Sequence, residues 1–204
     1  MTKYSIGIGI FAITLSVFAC KNEIKQEGKQ EIVPKNAITD LSKISPVDCK
    51  DCAFVSDSVK IGSTIGCGDF FVSKVISKDL VVGVAINPEK IKFSTSFQTF
   101  DATKNNIAEV SLTQCCNLNS FFRELCNDAR YLEDCKTRTW KLTKGEIDFK
   151  VSEVFNGKYR NCETPYYTTT VLLKNAIFQL ENSDEIIYLE NIEIKDVHVG
   201  WCAG

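Results

Sequence analysis

The stretch YYTTTVLLKNAIFQLEN, residues 166–182, decides how the chain is read. It is long enough for a helix, yet its density of β-branched and aromatic residues predicts a strand. Upstream, EIDFKVS (146–152) alternates cleanly, with Ile147, Phe149 and Val151 on one face and Glu146, Asp148 and Lys150 on the other. GCGDFFVSKVIS (66–77), DLVVGVAI (79–86), KFSTSFQTF (92–100) and IAEVSLT (107–113) also read as strands. The second of these four is apolar on both faces, as in a central strand. Asn156-Gly157 carries a strong tight-turn signal and Lys144-Gly145 a weaker one.

The C-terminal run NIEIKDVHVGWCAG (191–204) contains a change of phase. Ile192 and Ile194 share one parity, while Val197, Val199 and Trp201 share the other. One extra residue near Lys195-Asp196 would return all five to a single face, as a β-bulge does. Asp196, His198 and Cys202 then point the other way. One helical pattern interrupts the strands: Leu118, Phe121, Phe122, Leu125, Cys126, Ala129 and Leu132 fall on one helix face. Cys115 and Cys116 precede it and Cys135 follows. The expected fold is mostly β, an antiparallel sandwich or open barrel with one disulfide-bracketed helical insertion.

The first twenty residues are of a different kind. Lys3 is followed by a nearly unbroken apolar run from Tyr4 to Ala19, then Cys20 and the polar Lys21, Asn22 and Glu23. The run is short of the roughly 20 apolar residues of a spanning helix and has the layout of a secretory leader. Val17-Phe18-Ala19-Cys20 resembles the lipobox of bacterial lipoproteins, which signal peptidase II cuts just before the cysteine. The usual Leu is replaced here by Val17, and the small or hydroxylated residue by Phe18. The resemblance implies that residues 1–19 are a signal peptide, that the Cys20 thiol carries diacylglycerol and that its amine carries a further acyl chain such as palmitate. Two or more chains suffice for stable anchoring. The implied location is the bacterial cell envelope, periplasmic or surface-exposed, with the membrane as partner through lipid.

Residues 20–48 then read as the lipidated cysteine and a flexible tether. Lys21, Lys25 and Lys29 are spaced by four, as are Glu23, Glu27 and Glu31, so a helix would stack like charges; Pro34 and Pro46 break the rest. The β-rich domain is expected over 49–204. Removing the leader takes Lys3 from the 24 basic residues and none of the 26 acidic ones. The balance is slightly acidic, which argues against nucleic acid as a partner.

Ten cysteines are present. With Cys20 lipidated, Cys49, Cys52, Cys67, Cys115, Cys116, Cys126, Cys135, Cys162 and Cys202 remain as disulfide candidates in an oxidising compartment, an odd number whose pairing the spacing leaves open. Cys49-Lys50-Asp51-Cys52 has the CxxC spacing of a thiol-exchange pair, but lacks the strand-helix context that lowers a thiol's pKa. A zinc site would need a second cysteine pair or histidines, and the chain has one His. No metal or cofactor is expected. That single imidazole, His198, with Asp196 two residues away, is the one candidate for acid–base chemistry, and reads as an outward surface residue. No GxSxG, HExxH, P-loop or EF-hand pattern occurs. Tyr166, Tyr167 and Trp201 offer flat amphipathic rings suited to a protein or glycan contact surface. The expectation is a lipid-anchored, non-catalytic binding module, with an envelope enzyme, thiol-active through Cys49 and Cys52 or hydrolytic, as the alternative.

Overall fold

The computed structural model describes residues 33–48, 59–68, 70–118, 121, 125–126, 136–155 and 166–200. Among them, eight strands form one antiparallel sheet: β1 (Thr64–Cys67), β2 (Phe71–Val75), β3 (Leu80–Ile86), β4 (Gln98–Asp101), β5 (Ala108–Cys115), β6 (Thr137–Phe155), β7 (Tyr166–Leu180) and β8 (Ile186–Val199). The order is β1-β2-β3-β5-β6-β7-β8, and β4 joins the free part of β6 beside β5. The sheet curls strongly into a half-barrel. Of the two expected architectures the open barrel is the nearer; the described strands form one sheet, not the two of a sandwich.

Alternation explains the long strands. Ile147, Phe149 and Val151 are buried, as are Val171 and Leu173 on β7, and these side chains line the concave core with Trp140, Leu112 and Leu80. On β7 the inward phase shifts from Leu173 to Ala176 and Phe178 across Asn175, which has φ 51°. On β8 the expected bulge is present. Thr169 faces Val197 and Val171 faces Ile194, so two β8 residues oppose Thr170, and Asp196 has φ 51°. Ile192, Ile194, Val197 and Val199 are all buried while Lys195, Asp196 and His198 are exposed.

The curl brings the first strand back to the last. Gly68 pairs with Gly200, and Lys74 Nζ donates to the Glu193 carbonyl at 2.7 Å. A Cβ at Gly66 would stand 2.6 Å from Val197 Cγ1 and closer still to the His198 carbonyl oxygen. Only glycine lets β1 lie this near β8.

β3 is apolar on both faces, as expected for its central place between β2 and β5. Leu80, Val82 and Val84 enter the concave core, whereas Val81 joins Val75, Cys115 and Leu118 in a second cluster on the convex face, backed by Phe121 and Leu125. The segment expected to be a helix begins here. Phe121 N–H donates to Asn117 O (3.0 Å) and Leu125 N–H to Phe121 O (3.1 Å), each a helical step. No α-helix stands as an element among the described residues, and most of the span to Leu132 lies outside them.

Two strand readings and one turn reading need correction. Residues 66–77 are not one strand: Gly68 and Phe70 take φ of 52° and 61°, and the chain turns from β1 into β2. Of 92–100 only Gln98–Phe100 are strand, because Ser94 turns the chain by accepting from Ser96 N–H through its hydroxyl. Lys144-Gly145 is no turn; β6 runs through it, and register shifts on either side of Lys144 absorb the bend. The Asn156-Gly157 turn lies outside the described residues. Part of the stretch read as tether packs on the sheet. Ile38 bridges Ile187 in parallel, Asp40 caps the short 3₁₀ turn Leu41–Lys43, and Ile44 is buried in the core.

Asp148 shows how the convex face of β6 is held. Its carboxylate pairs with Lys174 on β7 and accepts from Thr99 Oγ1 on β4 at 2.7 Å. Burial pushes its pKa up, but the Lys174 and Thr99 hydrogen bonds outweigh this and hold the carboxyl below its usual range. A lowered folded-state pKa contributes stability above the unfolded value that is lost as pH falls through the folded one. Asp148→Asn is therefore expected to shrink the drop in Tm between about pH 6 and about pH 3. An undiminished drop, read by thermal unfolding at both pH values, would remove Asp148 from the acid response.

Candidate functional site

The strand registers give the half-barrel two ends. At one, Leu80, Cys115, Thr137, Leu180 and Ile186 lie close in register, and the N-terminal segment enters through Ile38. At this end Glu185 accepts from Arg138 Nη2 (2.8 Å) and from Trp140 Nε1 (3.1 Å), and the Arg138 guanidinium lies 4.9 Å from the Trp140 ring centre. Arg138 Nη1 also donates to Ser45 O. This clip fastens β6, the β7–β8 turn and the N-terminal segment together.

The other end carries the ends of β3, β6 and β8, the starts of β2 and β7, and the loop from Asn87 to Phe97. Phe70 lies at the centre of an aromatic cluster there, with ring centres 4.6 Å from Phe93, 5.1 Å from Tyr167 and 5.9 Å from Phe149. Phe70 is bulky and left-handed in backbone, a costly combination that the turn and the three rings around it hold in place. The loop is pinned along its length. Asn87 N–H donates to Ile107 O and its side chain accepts from Glu89 N–H. Further on, Gln98 Nε2 donates to Lys92 O, and Ser94 O accepts from Val151 N–H. Phe93 turns into the cluster, whereas Phe97 remains 48% exposed with Lys150 Nζ 4.7 Å from its ring centre.

On the convex side of the same end, Thr168 Oγ1 lies 3.1 Å from His198 Nδ1, and Thr170 Oγ1 both donates to Asp196 Oδ1 and accepts from Asp196 N–H. Each of the two residues singled out for acid–base chemistry is thus held by a β7 threonine. A groove of about 600 Å³ lies where the sheet forks. β5 leaves β6 at Lys141 and β4 takes it up again at Glu146. Ile86, Ala102, Val110 and Leu142 form its apolar walls, and Asn87, Asn106, Glu109 and Lys141 its polar ones. Beside it, Lys104 and then Thr103 hold the Asp101 carboxyl well below the usual range.

Of the contact residues expected, Tyr166 opens β7, Tyr167 is half-buried in the aromatic cluster, and Trp201 lies outside the described residues. Among the cysteines, Cys67 and Cys126 form a disulfide with Cα atoms 5.5 Å apart, Cys116 is disulfide-bonded, and Cys115 is buried. Cys20, Cys49, Cys52, Cys135, Cys162 and Cys202 lie outside the described residues. Among the described residues no cluster of three His, Cys, Asp or Glu side chains could hold a metal ion. No helix among them is long and apolar enough to cross a membrane.

Sequence reasoning missed the Asn87–Phe97 loop because it read 92–100 as one strand, of which only Gln98–Phe100 are strand. The available signal was Pro88 with Lys90 and Lys92, a poor strand start. No family model, curated protein or solved structure matches the chain.

Proposed function

We propose that the chain is a lipid-anchored lipoprotein of the bacterial envelope whose half-barrel is a non-catalytic binding module. The observation that carries this reading is the order of the first twenty-three residues: Lys3, an apolar run to Ala19, the lipobox-like Val17-Phe18-Ala19-Cys20, and a polar stop. A disulfide-bonded domain suits the oxidising compartment to which such a leader delivers. The pinned loops at one end and the groove at the sheet fork supply concave and projecting surfaces of the sort that bind.

Cys20→Ala tests the anchor. Cells fed a fatty-acid analogue are expected to label the wild-type chain, with the label absent from the variant and the variant uncleaved or released from the membrane. Label persisting on Cys20→Ala would overturn the lipoprotein reading.

A further inference from the structure

Phe97 is the one aromatic residue among the described residues' exposed large hydrophobic side chains. Lysines share its loop and its strand neighbour. Lys90 and Lys92 are exposed on its own loop and Lys150 stands over one face of its ring. The described ion pairs are Lys104–Asp101, Arg138–Glu185 and Lys174–Asp148, and none of these three lysines takes part. The nearby acids are largely committed: Asp148 to Lys174 and Thr99, and Asp196 to Thr170. Glu89 is the acid on the loop itself, in a chain that is slightly acidic as a whole. A basic, aromatic patch on such a chain is a local feature with a local consequence.

We propose that the Asn87–Phe97 loop, with Lys150, is a docking surface for an acidic polypeptide segment that also carries an apolar side chain. The three ammonium groups would meet carboxylates, and the free face and edge of Phe97 would take the apolar group. The hydrogen bonds that pin the loop hold its backbone in one shape before any partner arrives, so little ordering entropy is lost on binding.

Placement favours a protein over the bilayer, and this step rests on the lipoprotein reading. The N-terminal segment joins the sheet beside Ile187, at the end opposite the loop. β6, which runs between the ends, has 19 residues, roughly 60 Å of strand. In the lipoprotein reading the tether therefore joins the half-barrel at the end away from the loop.

The test titrates the full-length chain, purified as expressed, with a fluorescent peptide of alternating glutamate and leucine, followed by anisotropy. Binding is expected to weaken as salt rises. It should fall about tenfold or more in Phe97→Ser and in the Lys90→Glu, Lys92→Glu pair, whose side chains are exposed and whose folding circular dichroism checks. Lys136→Glu, exposed at the opposite end, should bind as wild type does. Absence of wild-type binding would overturn the proposal. So would equal losses in Lys136→Glu, unchanged binding in both loop variants, or a clear preference for anionic phospholipid vesicles or polygalacturonate over the peptide. Cys20→Ala separates the two readings: peptide binding retained by an unlabelled Cys20→Ala chain upholds the docking surface, whatever the labelling of the wild type shows.

Discussion

Trp140→Ala is expected to lower the free energy of unfolding by about 3–5 kcal/mol, which urea denaturation of both proteins will read as a lower midpoint. The indole is fully buried in the concave core. Its Nε1–H donates to Glu185 Oε1, and Arg138 lies over its ring while bonding both Glu185 and Ser45 O. Removal therefore leaves a cavity and also loosens the clip between β6, the β7–β8 turn and the N-terminal segment. Trp140→Phe fills most of the cavity and loses one hydrogen bond, and should cost about 1–2 kcal/mol. A loss below about 1 kcal/mol for Trp140→Ala would mean that the core rests on other residues.

Replacing Cys67 and Cys126 together by Ser is expected to cost about 3–4 kcal/mol. The two are 59 residues apart in sequence, and a cross-link over so long a loop removes much of the unfolded chain's freedom in the chain-entropy account. It also fastens β1 to the segment whose Phe121 and Leu125 cover Val75, Val81 and Cys115. The double variant should therefore show a steeper denaturant slope, from a more expanded unfolded state, as well as a lower midpoint. An unchanged midpoint would show that this bridge constrains neither state.

What could be read from the sequence was whatever depends on one strand alone. Ile147, Phe149 and Val151 alternate against charged residues, so their face was legible. So was the bulge on β8, because Ile192 and Ile194 are separated from Val197 and Val199 by the polar Lys195-Asp196. The equivalent slip on β7 was hidden. Val171, Leu172, Leu173, Ala176, Ile177 and Phe178 are apolar on both parities, and nothing local marks Asn175 as the point where the inward face changes. The pairing of strands was out of reach for a different reason. That β6 is shared by β4 and β5, and that the choice between a sandwich and an open barrel falls on one curled sheet, follows from long-range register, which periodicity does not contain. The Gly68–Phe70 turn escaped notice because a phenylalanine in left-handed backbone is no turn signal. Its stability comes from Phe93, Phe149 and Tyr167, far away in sequence. The exposed ring of Phe97 was unreadable on similar grounds, since its difference from Phe93 is made by the partners each one meets.

The parallel bridge of Ile38 on β8 has a mechanical meaning. Ile38 N–H donates to Ile186 O at 2.8 Å, and Tyr188 N–H donates to Ile38 O at 3.0 Å. The two bonds lie across the direction in which the chain arrives, so a pull on the N-terminus loads them in shear, together, and not one after the other as in a zip. Behind them Leu41 and Ile44 are wedged against the core and Arg138 grips Ser45 O. Tension applied at the start of the chain would thus be passed to β8 through Ile38 and to β6 through Arg138, the second of which three other strands brace.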